Sequence, residues 1–354
     1  MHRENNFDAV RLLAAAVVIF GHAHPLAATA SPSLLDNSVQ ALAVKIFFVI
    51  SGYLIYTSWS LDSNLIRYLQ KRALRIFPAL MIICLFTIFV IGPTFTILPF
   101  SQYFLTAHTY SYLQNIFLYP IYDLPGVFGK NAYPIAVNGS LWSLPVEFAM
   151  YLILPIAYCI DRQLKTRKCF LITTIVVCMF SLRFVRMEPP YPHPVAYGTD
   201  LISALDVCPY FLLGALYRHM DWERLLDPVF ALFLVAGIAL IQPPGHIAQE
   251  AILYIILPYS VLALAQSTQR ILRQAGRYGD FSYGLYLYGF LVQQSVNSIT
   301  QNQLSAIQNA LVSLPIALFL AVLSWYLVEK PMLSRKPKAA LQISKTMSLE
   351  NPRG

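Results

Sequence analysis

Residues 10–30 read VRLLAAAVVIFGHAHPLAATA: an arginine, nine apolar residues, a glycine and two histidines before the run ends. A run near 20 apolar residues is what a helix needs to cross a hydrocarbon core of ~30 Å. Working outward, comparable runs lie at 39–60, 76–98, 140–160, 169–186, 201–217, 228–243, 251–267, 280–298 and 308–328. Only 12% of the 354 residues are charged and 57% are hydrophobic, against roughly 25% charged in a soluble domain. A mean hydropathy of +0.57 agrees. So few polar side chains cannot coat a soluble surface of this size. The composition excludes soluble, disordered and coiled-coil classes. The predicted fold is all-α: a polytopic integral membrane protein of about ten transmembrane helices.

Charge placement sets the expected orientation. With the N-terminus in the cytoplasm, 21 of the 25 Lys and Arg residues fall in inside segments and three outside, with Lys45 inside a span. That split follows the positive-inside rule and puts both termini in the cytoplasm. It also accounts for the net charge of +8 without a nucleic-acid partner. Ala28-Thr29-Ala30 imitates a signal-peptide cleavage site, but Glu4 and Asp8 precede the run and His22 and His24 interrupt it, which argues against cleavage. Residues 1–333 are read as one membrane domain, and 334–354 as a basic tail expected to be disordered. The stretch 99–139, rich in Tyr, Pro and Gly, is expected to carry a re-entrant or surface helix. The five cysteines show no metal-ligand spacing and are read as free thiols; no metal site is expected.

Ionisable side chains inside spans are costly and usually functional. Arg11 and His22 are eleven residues apart, so they share a helix face about 16.5 Å apart, His22 near mid-membrane. Counting from the outer ends of their runs, Glu147 lies ~10 Å deep, Lys45 ~9 Å and Asp206 ~7.5 Å. A carboxylate facing an imidazole at one depth suits general-base catalysis, so Glu147 is expected to orient His22. The plainer reading of His22 is a polar ring satisfied near the outer interface, and of Lys45 a side chain that snorkels outward. Arg67, Lys71 and Arg75, with Arg72 beside them, line one helix face; four cations there suit a phosphorylated ligand or lipid headgroups.

Several landmarks in this order resemble the membrane-bound acyltransferase-3 family, bacterial O-acyltransferases acting on cell-envelope or exported sugars. They are Phe7-Asp8-Ala-Val-Arg11 with His22 after ten intervening residues, Phe47-Phe-Val-Ile-Ser51-Gly52-Tyr53, and Arg72-Ala-Leu-Arg75. Asn138-Gly-Ser-Leu-Trp142-Ser143-Leu-Pro-Val-Glu147, Gly279-Asp280-Phe-Ser282-Tyr283 and Trp325-Tyr326-Leu-Val-Glu329 complete the set. The resemblance implies a bacterial inner-membrane enzyme with acyl-CoA, most often acetyl-CoA, as cytoplasmic co-substrate and no tightly bound cofactor. The acceptor it implies is a carbohydrate hydroxyl on a polysaccharide, an oligosaccharide or a lipid-linked sugar, with membrane lipids as surroundings. In these terms His22 is the general base with Glu147 as its partner, and Arg11, Arg72 and Arg75 hold the CoA phosphates. Lys45, Trp142 and Asp206 are the substrate-binding candidates. Two positions depart from the pattern: Gly289 stands where many members have histidine, and Pro145 where serine is commoner. No segment here is expected to form the hydrolase-like domain that some members append, so transfer is expected within the membrane portion or with a partner. From the buried charges alone a second class stays open, a secondary transporter using them as a proton relay.

Overall fold

The computed structural model describes residues 6–134, 136–185, 193–240, 243–267 and 275–337. Arg3, Glu4, Arg186, Arg270, Arg273 and the tail from 338 onward lie outside them. A helix covers each of the ten apolar runs: α1 Phe7–Leu26, α2 Val39–Leu61, α3 Leu65–Phe86, α4 Ser143–Gln163, α5 Lys168–Phe184, α6 Leu201–His219, α7 Pro228–Leu240, α8 His246–Gln266, α9 Ser282–Ile299 and α10 Ala306–Ser324. Through π turns at Thr87–Ile91 and Trp325–Glu329, α3 runs on to Phe95 and α10 to Ser334. Strand is confined, among the described residues, to two hairpins of two-residue strands and one isolated bridge.

Seven of these helices are long and apolar enough to cross a membrane: α1, α2, α3, α4, α6, α8 and α10. The other three fall short for different reasons. α5 has 17 residues and α7 only 13. α9 has 18 residues but carries Gln293, Gln294 and Asn297, all essentially without solvent exposure. It tolerates them because it is enclosed by protein. Gln293 Nε2 donates to the Ile19 carbonyl at 2.8 Å, Asn297 Nδ2 to the Leu26 carbonyl at 2.9 Å and Gln294 Nε2 to the Ala136 carbonyl at 2.6 Å. A buried amide costs little once hydrogen-bonded and several kcal/mol if not, roughly 2–7 by transfer scales. The polarity that lowers the hydropathy of α9 is therefore the glue between α1, α9 and the 131–137 segment.

Side-chain registers fix how the helices run. Phe7 stacks on Tyr53 with ring centroids 5.5 Å apart, and a Cβ on Gly21 would meet Gln40, so α1 and α2 are antiparallel. Trp59 meets Tyr68 edge-on, closing the α2–α3 hairpin. α2 and α6 run parallel and cross where Gly52 faces the Phe211 carbonyl and Gly214 the Val49 carbonyl. A Cβ would sit 1.9 Å and 2.1 Å from those oxygens. Small residues at a crossing let two backbones approach closely, the usual device of helix packing in lipid.

One expectation about depth is not met. Asn138 Nδ2 donates to the Leu287 carbonyl at 2.9 Å, and Tyr286 OH to the Ser140 carbonyl at 2.8 Å. α4 therefore begins beside residues 286–287 of α9, about 20 Å of helix rise from the end at Ile299. The 99–139 stretch, with short helices at Phe100–Leu105 and Ala107–Ser111, leads the chain inward before α4 starts. Counting Glu147 down from a start at the membrane surface thus placed it too far toward that surface.

Candidate functional site

Three helices meet a loop at one layer of the bundle. Arg11 on α1 and Arg75 on α3 both reach Asp280, which ends the loop before α9: Arg75 Nη2 lies 2.6 Å and Arg11 Nη1 3.4 Å from Asp280 Oδ2. Arg75 Nη1 also lies 3.4 Å from Glu329 Oε2 at the end of α10, and its guanidinium covers the Tyr283 ring. Burial pushes the Asp280 carboxyl up, but the neighbouring Arg75 and Arg11 charges and the Ser282 hydrogen bonds outweigh it and hold it at about 2. Arg11 and Arg75 thus share the Asp280 carboxylate, with Glu329 beside Arg75. Arg72 is different: its Nε is buried without a hydrogen bond to protein, and its guanidinium lies 6.0 Å from the Tyr68 ring centre.

Across this layer, Ser51 Oγ donates to Glu147 Oε1 at 2.6 Å and Tyr151 OH donates to the same oxygen at 2.5 Å. A serine inside a helix commonly bonds back to its own backbone; Ser51 crosses to α4 instead. Above, Ser143 Oγ and Tyr286 OH lie 2.6 Å apart. All of these groups line one cavity of about 580 Å³, whose wall along α2 runs from Leu61 to Val44. At 1.5 Å per residue that is about 25 Å. Arg11, Arg72, Arg75 and Glu147, four of the residues expected from sequence, come together here.

His22 does not join them. Its neighbour Gly21 lies against Gln40 on α2, whereas Glu147 is bound to Ser51, eleven residues further along that helix. The axial offset is about 16.5 Å, so Glu147 does not orient the His22 imidazole. The half-buried His22 ring packs edge-on against Phe290, centroids 5.3 Å apart. It sits about 6 Å of helix rise beyond Val44, where the cavity wall ends on α2. A Cβ on Gly289 would lie 2.6 Å from Ile19 Cγ1, so Ile19 fills the space that a side chain at 289 would need.

The remaining candidates lie outside the cavity. Lys45 has no exposed side-chain surface: its Nζ reaches Asp206 Oδ1 and Glu250 Oε1, both at 2.9 Å, and Asn37 Oδ1 at 2.7 Å. It does not snorkel, and Tyr210 OH adds a 2.6 Å bond to Glu250. Trp142 packs, partly buried, against the main apolar core. On the α3 face, Arg67 and Lys71 are taken up by Asp62 at 2.6 Å and 3.0 Å. The Arg67 hydrogen bonds and the Lys71 charge hold that carboxyl well below its ordinary range, burial opposing them. Sequence reasoning did not assign Asp280, Glu329, Ser51, Tyr151 or Glu250. The first three stood inside quoted landmarks, and Glu250 borders the apolar run that begins at 251.

Comparisons with known proteins show the family. The family profile described as "Acyltransferase domain" matches residues 4–330. The chain is 33% identical over 353 residues to the O-acetyl transferase of Shigella phage Sf6, covering 96% of this chain and all of that protein. It is 31% identical over 360 residues to nodulation protein 10 of Rhizobium leguminosarum bv. viciae, covering 93% of each. A putative acetyltransferase of Acidianus two-tailed virus is 21% identical over 273 residues, covering 72% of this chain and 73% of that protein. No solved structure matches. With the match running nearly end to end and the landmark residues gathered around one cavity, the chain belongs to the membrane-bound acyltransferase-3 family and is an acyltransferase.

Proposed function

We propose that this protein is a membrane O-acyltransferase that moves an acyl group, most simply acetyl, from cytoplasmic acyl-CoA to a hydroxyl of a cell-surface or exported carbohydrate in the bacterial inner membrane. The observation that carries this reading is the long cavity with an arginine layer at one level and His22 beyond its far end. Arg72, which has no carboxylate partner among the described residues, offers its charge to the donor phosphates first. Arg75 and Arg11 stand behind it, held by Asp280. The offset of about 16.5 Å from that layer to the level of His22 matches the reach of an extended pantetheine arm. Glu147 then belongs to the donor's path rather than to the imidazole.

In this scheme the nucleotide stays at the arginines and the thioester reaches inward. His22 takes the proton of the acceptor hydroxyl as its oxygen attacks the thioester carbonyl. The imidazolium returns the proton to the departing thiolate, so the reaction is proton-neutral overall. The test separates the two ends: acyl-CoA binding and acyl transfer are measured on purified variants. His22→Ala is expected to abolish transfer and leave donor affinity within about twofold. Arg72→Ala is expected to weaken donor affinity more than tenfold, since a hydrogen bond to a charged group contributes ~1.5–3 kcal/mol. Near-normal transfer by His22→Ala overturns the base assignment, and unchanged donor affinity in Arg72→Ala overturns the donor site.

A further inference from the structure

The main cavity continues past the arginine layer on the side away from His22. Its wall on α2 runs on from Ser51 to Leu61, about 15 Å of helix rise. Leu333 and Lys336, from the turns that follow α10, line the cavity as well. Lys336 stands seven residues beyond Glu329, which meets Arg75. Ser58 likewise stands seven residues beyond Ser51, which holds Glu147. Both therefore lie about 10 Å from the arginine layer, at one level. The Lys336 N–H donates to the Leu333 carbonyl at 3.2 Å, so a turn holds this cation at the end of the cavity.

Thr57, Ser60 and Ser63 turn their hydroxyls back to carbonyls three or four residues earlier, at 2.8–3.0 Å, the usual habit of such residues in a helix. Ser58 makes no such bond among the described residues and lines the cavity instead. Between the two polar levels the wall is apolar, built by Leu54 on α2 and Leu333 opposite the arginines' side. The acid Asp8 also lines the cavity, its Oδ2 2.7 Å from where a Cβ on Gly276 would stand. Cations at two levels about 10 Å apart cannot both serve one diphosphate, whose two phosphoryl groups share a bridging oxygen. They suit a ligand that carries a further phosphate across a spacer.

We infer that Lys336 and Ser58 hold the ribose 3′-phosphate of the CoA donor, with its adenosine against Leu54 and Leu333 and its diphosphate at the arginines. This rests on the donor site proposed above and deepens it. In CoA the ribose sets the 3′-phosphate apart from the 5′-diphosphate, as the two polar levels require. A lysine ammonium meets phosphate as a point charge on a long arm, so it spans the remaining distance. The site selects CoA thioesters over thioesters whose phosphopantetheine arm ends at its first phosphate, such as those on carrier proteins.

The test is equilibrium binding to the purified full chain in detergent, comparing acetyl-CoA with acetyl-dephospho-CoA, which lacks only the 3′-phosphate. Acetyl-CoA should bind roughly tenfold more tightly, the effect of a charge-assisted phosphate contact. Lys336→Ala should erase that preference by weakening acetyl-CoA alone. Its affinity for acetyl-dephospho-CoA should stay within about twofold of the native protein's, which also shows that the variant is folded. Lys336→Arg should keep the preference. Arg72→Ala should weaken both thioesters and leave their ratio in place. Equal affinity of the native protein for the two thioesters, or a preference that survives Lys336→Ala, would overturn the 3′-phosphate site while leaving the donor reading intact. Binding of neither thioester would overturn the donor reading and this site with it.

Discussion

Arg11, Arg72 and Arg75 look alike in sequence, yet their surroundings give them different work. Arg11 and Arg75 share Asp280 and brace the start of α9, while Arg72 keeps a buried Nε without a protein partner. No spacing rule could have separated them, because the acids that claim two of them lie over 200 residues away. Gly289 teaches the same lesson in reverse. Its departure from the family pattern was plain in the sequence, but the reason, Ile19 Cγ1 2.6 Å from where a Cβ would stand, was not. Gly289→His should therefore destabilise the protein by overpacking, about 1–3 kcal/mol, read as a lower Tm in detergent. Combining it with Ile19→Ala should restore most of the loss; an undisturbed single variant would show that the helices yield easily here.

At the scale of elements, apolar runs located α1 to α10 because length and hydropathy are local properties, although only seven of these are long and apolar enough to cross a membrane. They failed to place α4 in depth, since its start is set by Asn138 and Ser140 against α9. That error carried over to the pairing of Glu147 with His22, which counted depth from the wrong plane. α9 illustrates the complementary limit, for its run at 280–298 was legible but only its enclosure explains the amides it carries. Two predictions belong to this scale. Gly52→Ala and Gly214→Ala should each force α2 and α6 apart, because a Cβ would meet a carbonyl oxygen at 1.9 Å or 2.1 Å. Each should lower the Tm clearly, where Gly237→Ala, with nothing nearby, should not. The second concerns Asp280, whose folded value of about 2 lies below the ordinary 3.8. A depressed carboxylate stabilises fully above its unfolded value and loses that contribution as pH falls through the folded one. Thermal stability should thus decline from about pH 4 toward pH 2, and Asp280→Asn should flatten that part of the profile. An unchanged slope in the variant would show that other carboxylates govern it.

For the whole molecule, a cavity about 25 Å long that stops short of His22 gives the bundle two approaches. In the proposed scheme the donor enters past the arginines and the acceptor comes to the imidazole from the opposite side, so that the acyl group alone makes the crossing. Composition made the membrane class legible, and the charge split gave an orientation to test. The separation of the two approaches needed the registers between helices. The most direct measurement is acyl transfer by purified protein reconstituted in liposomes, with orientation sorted by protease access to the tail. Acyl-CoA is supplied on the tail side only and a soluble oligosaccharide acceptor on the other side only. The account predicts acylated oligosaccharide in that arrangement, its loss in His22→Ala, and little product when donor and acceptor exchange sides. Product of equal yield in both arrangements, or undiminished product from His22→Ala, would contradict it.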